Sequence, residues 1–320
     1  SMVDTWLCAG LIRAIPGKMS LVIIGDKDQL PSVGPGNVLR DFLQCKCIPG
    51  IRLTHLFRQS GGNDIAEKAH KINEGHRPSP VEGPHFHFRD FQTPEECLGI
   101  LQELVLTGVK GKIDIDISRD LQVLTPMHKG PLGTDALNEF LQKLLNPKAG
   151  GFALFGTHWK AGDRVMQLKN NYEKEVFNGD VGTVKKVKAE DQFLEVDFDG
   201  RNIPFSGLEL DQMNLAYACT IHKSQGSEYP AVIIILDSSH YRMLQRNLIY
   251  TAVTRAKGHV WVLSSPGAFD TAVRNNRTVH RYTMLAHSIS QSIGTENGGT
   301  CTAQTQTNDT DEFMDILNSL

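Results

Sequence analysis

Three short apolar runs recur along this chain, and each has the composition of a strand that is buried on both faces. They are Leu21–Ile24, Ala231–Leu236 and Val260–Leu263. Segments with helical apolar spacing lie elsewhere in the chain, at Asp64–Glu74 and from Thr93 onward. Buried strands that alternate with helices are typical of a parallel sheet covered by helices. The pattern therefore predicts an α/β fold, with chemistry expected at the turns that follow the strands.

The chain changes texture between about Gly151 and Gly207, where apolar and polar residues alternate. Alternation with a period of two predicts strands with one buried face, and Gly-containing turns between them predict antiparallel hairpins. We therefore expect a small antiparallel barrel inserted into the α/β unit. The alternating stretches are Arg164–Leu168, Val181–Val187 and Phe193–Phe198, with turns at Asn178-Gly179-Asp180 and Asp199-Gly200.

Length and charge set broad limits. A chain of 320 residues is long enough for about two domains. Its net charge of −3 means that any nucleic-acid binding must use a local groove and not a global positive field. No apolar run approaches the ~18 residues that a membrane-spanning helix needs, so we expect a cytoplasmic protein without a membrane partner.

The cysteine and histidine spacings do not favour a metal site. The 6 cysteines form no C-x-x-C pair, and free thiols are the expected state. Cys45 and Cys47, like His85 and His87, are one residue apart, which would place each pair on one face of a strand. Neither pair has a second pair to complete a tetrahedral site, so no metal ligands are predicted.

The C-terminal segment has a different composition from the rest. Residues Ser288–Asn308 are rich in Ser, Thr, Gln, Gly and Asn, which predicts a linker. Asp309–Leu320 then carries apolar residues at helical spacing after acidic ones. Two interpretations remain open: a short helix that docks on a partner, or a tail that frays or folds back onto its own domain.

The string GDKDQLPSVGPG from Gly25 to Gly36 follows the first apolar run directly. A buried strand that ends at Gly25-Asp26 would bring Gln29 to the edge of the sheet. An amide there could hydrogen-bond both a terminal phosphate and an attacking water. The alternative interpretation is a Gly/Pro-rich turn with a solvated polar side chain.

The string TIHKSQG from Thr220 places hydroxyls, an imidazole and an ammonium before a glycine. Such a set suits phosphate oxygens, because the glycine permits close approach of the backbone. The alternative is an ordinary connection from a strand to a turn.

Taken together, the ordered motifs resemble the RecD family of superfamily 1 helicases, which travel 5′ to 3′ on DNA. The similarity extends from Ser1 to about Pro266. The motifs, in chain order, are GDKDQLPSVGPG from Gly25, TxxFRQ (Thr54, Phe57, Arg58, Gln59), LTPMHKGPLGTDALNEFLQKLLNP from Leu124, GDRVMQLKNNYEKEVFNGDVGTV from Gly162, TIHKSQGSEYP from Thr220 and IYTAVTRAK from Ile249.

This resemblance implies a RecA-like, P-loop-NTPase-type parallel sheet with an SH3-like barrel inserted into it. The implied domains are the end of a first motor domain over 1–50, a second motor domain over 51–287 that contains the barrel at 151–207, and a linker with a short acidic amphipathic tail over 288–320.

No G-x-x-x-x-G-K-[ST] string occurs; the nearest approach is Gly10 followed by Gly17-Lys18, with Met19 in place of the hydroxyl. The resemblance implies that the phosphate-binding loop and the magnesium carboxylates lie upstream of Ser1. ATP and Mg²⁺ are then cofactors of the full-length protein, and this chain alone is expected to lack ATPase activity.

The resemblance also implies roles for individual residues, since charge on a transferred phosphoryl group must be met by cations. Arg255 is expected at the end of a helix that begins near Tyr241. Lys185, Lys186 and Lys188 of the barrel are interpreted mainly as a solvated face. The implied roles are catalysis for Gln29, Arg58 and Arg255; nucleotide binding for Gly25, Asp26, Gln225, Gly226 and Glu228; and DNA binding for Thr220, His222, Lys223, His128 and Lys129.

The sequence thus favours the C-terminal part of an ATP-dependent helicase that acts on single-stranded DNA in recombination or repair. The rival is a non-catalytic module, derived from half a helicase, that binds single strands or a partner protein. Whether the parent works alone, as a subunit of an exodeoxyribonuclease V-type complex, or fused to a relaxase stays open.

Overall fold

We describe the fold from a computed structural model, which covers residues 2–45, 47–51, 53, 64–79, 83–109, 113–277, 281 and 283–297. The chain divides into two compact units, unit 1 formed by 1–66 with 277–320, and unit 2 formed by 67–276. The helices are α1 (Thr5–Ala14), α2 (Val38–Gln44), α3 (Ile65–Glu74), α4 (Pro94–Glu103), α5 (Ile117–Asp120), α6 (Thr134–Leu145), α7 (Arg246–Val253), α8 (Ala268–Arg274) and α9 (Leu285–Asn297). The strands are β1 (Phe86–Asp90), β2 (Leu121–Thr125), β3 (Phe152–Leu154), β4 (Thr157–Trp159), β5 (Arg164–Gln167), β6 (Val181–Lys188), β7 (Phe193–Phe198), β8 (Arg201–Ser206), β9 (Met213–Leu215), β10 (Ala218–Thr220), β11 (Tyr229–Leu236) and β12 (Ala256–Ser264).

A parallel sheet of five strands forms the centre of unit 2, in the order β1-β12-β11-β2-β10. The predicted runs Ala231–Leu236 and Val260–Leu263 lie inside β11 and β12, and every residue of both runs is fully buried. This arrangement confirms the predicted α/β fold with a parallel sheet. Strands of such a sheet are apolar throughout because helices cover both faces.

Helix α4 shows how local sequence positions the layers around this sheet. The hydroxyl of Thr93 accepts from the amide of Glu96 at 3.3 Å, and Pro94 occupies the first turn, where its missing N–H has no cost. The buried side chains Cys97 and Leu101 face the core. A π-helical turn, Leu104–Gly108, continues the helix.

A second sheet, also in unit 2, is antiparallel throughout, with the strand order β8-β7-β6-β5-β9 and a separate hairpin β3-β4. Its strands span Arg164 to Leu215, so the sheet extends past the predicted limit at Gly207. The two residues that connect β7 and β8, Asp199 and Gly200, have φ of +50° and +88°. Positive φ at both positions is the requirement of a tight hairpin turn, as the Asp-Gly pair predicts.

The predicted strand Leu21–Ile24 is absent, and this expectation is wrong. None of the described residues of unit 1 forms a strand, and the four side chains are 45%, 54%, 42% and 84% exposed. The physical reason is pairing: a strand needs neighbours for its N–H and C=O groups, and this run has none among the described residues.

Helix α9 extends ten residues into the predicted linker, from Ser288 to Asn297. Two of its serines satisfy helical carbonyls, since Ser290 donates to Ala286 O at 2.9 Å and Ser292 to Ser288 O at 3.0 Å. The side chain of Thr283, just before the helix, donates to the buried Asp41 at 2.8 Å. The helix thus forms despite the linker-like composition. The predicted tail, 309–320, lies outside the described residues.

Cys8, Cys45, Cys97 and Cys219 are free thiols, whereas Cys47 is disulfide-bonded, so the expectation of free thiols is wrong at that position. Within the described part of the chain, no group of three His, Cys, Asp or Glu could hold a metal ion. The same residues contain no helix of the length and hydropathy needed to span a bilayer.

Candidate functional site

The connection between β10 and β11, residues 221–228, runs back along β2. At one end Thr220 pairs with Thr125, the last residue of β2. At the other end Ala231 pairs with Leu121, its first residue. Because the three strands are parallel, the connection must travel from the carboxyl end of β2 to its amino end. It therefore joins two opposite edges of the sheet.

The first part of the connection is a turn of helical type that begins at Thr220. The carbonyl of Thr220 accepts from the amides of Lys223 at 2.9 Å and Ser224 at 3.2 Å. Its hydroxyl also accepts from the amide of Lys223, at 3.3 Å. The buried hydroxyl of Ser224 donates to Ile221 O at 2.8 Å. The turn is thus fixed by its own side chains, and Thr220, predicted to contact DNA, is a buried cap with 4% exposure.

Three of the predicted DNA-contacting residues lie at the carboxyl end of β2. The amide of Ile221 donates to Thr125 O at 3.1 Å, which brings His222 beside the loop that follows β2. His128 of that loop has its Nδ1 3.0 Å from the hydroxyl of Thr134. Burial, and then the nearby His128, lower the pKa of His222. Burial also lowers the pKa of Lys223.

Lys129, the remaining candidate, is more exposed than these residues. Its side chain is 89% exposed and lies 3.3 Å from the carboxylate of Asp135. An exposed ion pair of this kind is weak, so the ammonium remains available to a stronger anion such as a phosphate.

The other end of the connection meets Arg255 at the amino end of β11 and β12. The guanidinium of Arg255 donates to Thr251 O at 3.1 Å, to Ser227 O at 2.9 Å and to the hydroxyl of Thr254 at 3.3 Å. Its backbone carbonyl accepts from the amide of Tyr229 at 2.8 Å. Arg255 is only 6% exposed, so these bonds fix a cation beside the residues predicted to bind nucleotide.

The helix that precedes Arg255 is shorter than predicted and ends at Val253. It begins at Arg246, not near Tyr241, because a separate 3-10 turn at Ser238–His240 precedes it. The side chain of Asp237 caps that turn, and the amide of Asp237 donates to Nδ1 of His240. These bonds hold the chain in a geometry other than α-helix before Arg246.

Gly226 and Glu228 complete this edge of the sheet. Gly226 has φ +83°, a conformation that disfavours any side chain, and it follows the half-buried Gln225. Glu228 lies 3.5 Å from the ammonium of Lys257, a residue that sequence reasoning missed. Lys257 stands two positions after Arg255 in the string IYTAVTRAK, which was the available signal. This edge therefore contains the cations of Arg255 and Lys257, the carboxylate of Glu228 and the backbone turn at Gly226.

The residues predicted in unit 1 form a separate local arrangement. Gln29 donates to Asp26 Oδ2 at 3.2 Å, and the amide of Asp28 donates to Asp26 Oδ1 at 2.9 Å. Because Leu21–Ile24 is not a strand, Gln29 is not placed at a sheet edge, and that prediction is wrong. Arg58, the other catalytic candidate before unit 2, lies outside the described residues. Gly25 and Asp26 belong to the same turn-rich segment.

The barrel lysines are engaged across strands. Lys185 lies 3.1 Å from Asp197 and Lys186 lies 3.0 Å from Glu195 on β7. The ammonium of Lys188 lies 5.6 Å from the ring centroid of Phe193, within the ~6 Å reach of a cation–π contact. These contacts agree with the interpretation of a solvated charged face.

Three family models match the chain in succession. An AAA domain matches residues 1–85, an ATP-dependent RecD-like DNA helicase SH3 domain matches 137–198, and a UvrD-like helicase C-terminal domain matches 215–263. The SH3 match begins inside α6 and covers most of the antiparallel sheet. The UvrD-like match covers the connection 221–228 and Arg255, while His128 and Lys129 lie outside it.

Curated relatives agree with these models. The chain is 36% identical over 285 residues to the ATP-dependent RecD2 DNA helicase of Deinococcus radiodurans, which covers 89% of this chain and 38% of that protein. It is 30% identical over 287 residues to the RecBCD enzyme subunit RecD of Mycolicibacterium smegmatis, covering 85% of this chain and 50% of that protein. The chain therefore spans half or less of the length of these relatives.

Among solved structures, a Pif1 helicase from Bacteroides in complex with ADP-AlF3 and single-stranded DNA aligns with a TM-score of 0.45 at 21% identity, covering 85% of this chain and 66% of that one. The family rests on the sequence matches, which lie in the same order as the motifs and the two sheets. By those matches the chain belongs to the RecD-like superfamily 1 helicases.

Proposed function

We propose that this chain is the C-terminal part of an ATP-dependent DNA helicase that moves 5′ to 3′ on single-stranded DNA in recombination or repair in the cytoplasm. Unit 2 supplies the second motor domain. Its carboxyl edge, with His128, Lys129 and His222, contacts the DNA backbone. Its amino edge, with Gln225, Glu228 and Arg255, contacts ATP.

The observation that carries this proposal is the connection 221–228, which joins the two edges through one short segment. A motor must link the state of its nucleotide to its grip on DNA. Here a change at Ser227, which Arg255 holds at 2.9 Å, acts on a segment whose other end is hydrogen-bonded to the loop of His128 through Thr125. No further element has to move for the two edges to affect each other.

Arg255 is proposed to stabilise the charge that develops on the transferred phosphoryl group. Three hydrogen bonds hold its guanidinium, so little reorganisation is needed when the charge appears. Among the described residues no carboxylate cluster fits Mg²⁺, and the proposal therefore assigns no step to a metal within this part of the chain. ATP hydrolysis is proposed for the whole protein, together with the residues that bind its phosphates.

ATP turnover tests the catalytic part of the proposal. This chain alone is expected to show no DNA-stimulated turnover. In the full-length protein, Arg255→Ala should lower kcat by about 10³ to 10⁵. Arg242→Ala is the matched control, because Arg242 is an exposed arginine near α7 whose guanidinium lies over its neighbour Tyr241. Turnover by this chain that Arg255→Ala abolishes would contradict the proposed division of the active site.

Binding to a single-stranded oligonucleotide at several salt concentrations tests the DNA edge. Each phosphate that the protein neutralises contributes about −0.7 to the log-log slope. Lys129→Ala should make the slope shallower by about that amount. Lys143→Ala is the control, since Lys143 is an exposed lysine on α6 paired with Glu139. A slope near zero for the unmodified chain would rule out the proposed groove.

The same measurements separate the motor from a non-catalytic module. A module that only binds single strands would show the salt slope, but its full-length form would show no ATP turnover to lose. The subunits of an exodeoxyribonuclease V-type complex are candidate partners of the full-length protein, as is any protein that binds the C-terminal tail.

A further inference from the structure

Helix α6 and the residue that caps its C-terminus carry three buried amide side chains at spacings of four residues. They are Asn138, Gln142 and Asn146, with exposures of 4%, 4% and 5%, and we call them the amide row. Residues four apart stack above one another on a helix. A buried amide must find hydrogen-bond partners, because an unsatisfied polar group is costly to bury. The partners of the row show what it holds.

The first member of the row, Asn138, binds the backbone at the start of β10. The Nδ2 of Asn138 donates to Leu215 O at 3.1 Å and to Ala218 O at 3.0 Å. Its Oδ1 accepts from the amide of Ala218 at 2.8 Å. Ala218 is the first residue of β10, two positions before Thr220. One side chain thus fixes the backbone from which the candidate DNA-contacting turn begins.

The other two members, Gln142 and Asn146, bind the segment that leads into β5 of the antiparallel sheet. The Nε2 of Gln142 donates to His158 O at 2.7 Å and to Asp163 Oδ2 at 2.6 Å. The Nδ2 of Asn146 donates to Ala161 O at 3.0 Å and to Asp163 Oδ1 at 2.8 Å. Asp163 is fully buried and immediately precedes β5.

Tyr217 links Asp163 to the backbone segment that Asn138 holds. Its hydroxyl donates to Asp163 Oδ1 at 3.1 Å, and its neighbour Ala218 is held by Asn138. Burial, and then the nearby Asp163, raise the pKa of Tyr217, so the hydroxyl stays protonated and able to donate. Asp163 also accepts from the amide of Lys160 at 2.7 Å, and all four of its partners are donors.

The chemistry of the row indicates more than stability. An apolar helix face could also be buried here. Apolar contacts would allow the neighbouring strands to shift, whereas hydrogen bonds to specific carbonyls fix the register of those strands. The row fixes two registers at once, that of the antiparallel sheet at Asp163 and that of β10 at Ala218.

We propose that the amide row of α6 couples the antiparallel sheet to the DNA-contacting turn, with Asn138 and Asp163 as positioning residues for Thr220 and His222. The inference rests on the DNA-contacting role proposed above for that turn. A displacement of the antiparallel sheet is transmitted through Asp163, Tyr217 and α6 to β10, and so to the grip on single-stranded DNA.

Amide hydrogen exchange in the DNA-free chain tests the positioning role without reference to DNA. Asn138→Ala should speed exchange of the Lys223, Ser224 and Gln225 amides at least tenfold relative to Leu137→Ala. Leu137 is the neighbouring, fully buried apolar residue of α6, so it reports on general loosening of the helix. The two variants are compared at denaturant concentrations that give equal global stability. Equal exchange in both variants would overturn the proposal.

Tyr217→Phe provides the same test with a smaller perturbation, since it removes only the hydroxyl that contacts Asp163. We expect about threefold faster exchange in the turn. If Asn138→Ala does not fold, this variant decides, and unchanged exchange in the turn would overturn the proposal.

Single-strand binding gives the second measurement. Asn138→Ala should flatten the log-log salt slope by about 0.7, the loss of one phosphate contact, whereas Leu137→Ala should keep the slope. In a double-mutant cycle with Tyr217→Phe, the effects of Asn138→Ala on affinity should be non-additive. Additive effects with an unchanged slope would count against coupling. If the unmodified chain shows no salt-dependent binding, the proposed DNA role fails, while the exchange data still decide the positioning role.

Discussion

The run Leu21–Ile24 in unit 1 and the run Ile233–Leu236 in unit 2 have nearly the same composition but opposite environments. Side chains of the first are 42% to 84% exposed, while those of the second are fully buried between β2 and β12. Both sequences have the β propensity of a buried strand. The difference shows that an apolar run specifies a strand only where partner strands are present to accept its hydrogen bonds.

One turn from each unit shows a similar difference. After β10, Thr220 and Ser224 fix the turn through buried hydroxyls. After Leu21–Ile24, the turn is held by the half-buried Asp26, which accepts from Asp28 and Gln29. Unit 2 thus builds its candidate site on rigid strands, which is how precise positioning is usually achieved.

Truncation of the two apolar runs should give the largest contrast. Ile234→Ala removes a fully buried side chain from the central strand and should lower the free energy of unfolding by about 2 to 5 kcal/mol. Ile24→Ala removes a side chain that is 84% exposed and should change it by less than about 0.5 kcal/mol. Denaturant titration followed by circular dichroism measures both. Comparable losses would break the comparison.

Removal of the turn-fixing side chains should give a smaller contrast. Ser224→Ala deletes a buried hydroxyl and should cost about 1 kcal/mol, because Ile221 O loses its partner. Asp26→Ala should cost about half as much, since water replaces a half-buried acceptor. Thermal unfolding of the two variants gives the order. A larger loss for Asp26→Ala would show that unit 1 depends on its turn more than its burial indicates.

The pH dependence of unit 2 should show the smallest effect. The pKa of His222 is lowered by burial in the folded state, so the unfolded chain takes up a proton more readily. Stability is therefore fully present above the unfolded pKa of about 6.5 and falls as the pH drops below it. His222→Gln should reduce this dependence, although His240, whose pKa burial also lowers, retains a share. Denaturant midpoints between pH 7.5 and about 5.5 test the sign, and an unchanged dependence in His222→Gln would contradict it.

The periodicity of the sequence correctly predicted the features that depend on interactions between residues close together in the chain. The runs of β11 and β12, the helix that follows Thr93 and the Asp199-Gly200 turn all lie where the sequence predicts them, because propensity and local hydrogen bonds decide such features. Motif order placed the residues near Thr220 and Arg255 in segments that the sheet then brings to opposite edges. The edges themselves required the strand order, which no local pattern contains.

Other features depend on contacts between distant residues and were not predictable in the same way. Leu21–Ile24 is not a strand because it has no partner strand among the described residues, and α9 occupies part of the predicted linker, next to Thr283, which is bonded to the distant Asp41. Asn138 and Asp163 were present in recognised motif strings, yet only the fold shows that they meet through α6. Lys257 was missed because its place in the motif string, two positions after Arg255, does not by itself reveal that it pairs with Glu228.

The helical turn after Thr220 also shortens the connection along β2. Residues in a helical turn advance about 1.5 Å each, against about 3.3 Å when extended. Unwinding five residues after Thr220 would therefore add roughly 9 Å to the segment. Arg255 and Ser227 anchor one end and Thr125 the other. Because β2 sets the distance between the anchors, a fully extended segment would be too long for the span, and the turn takes up the excess.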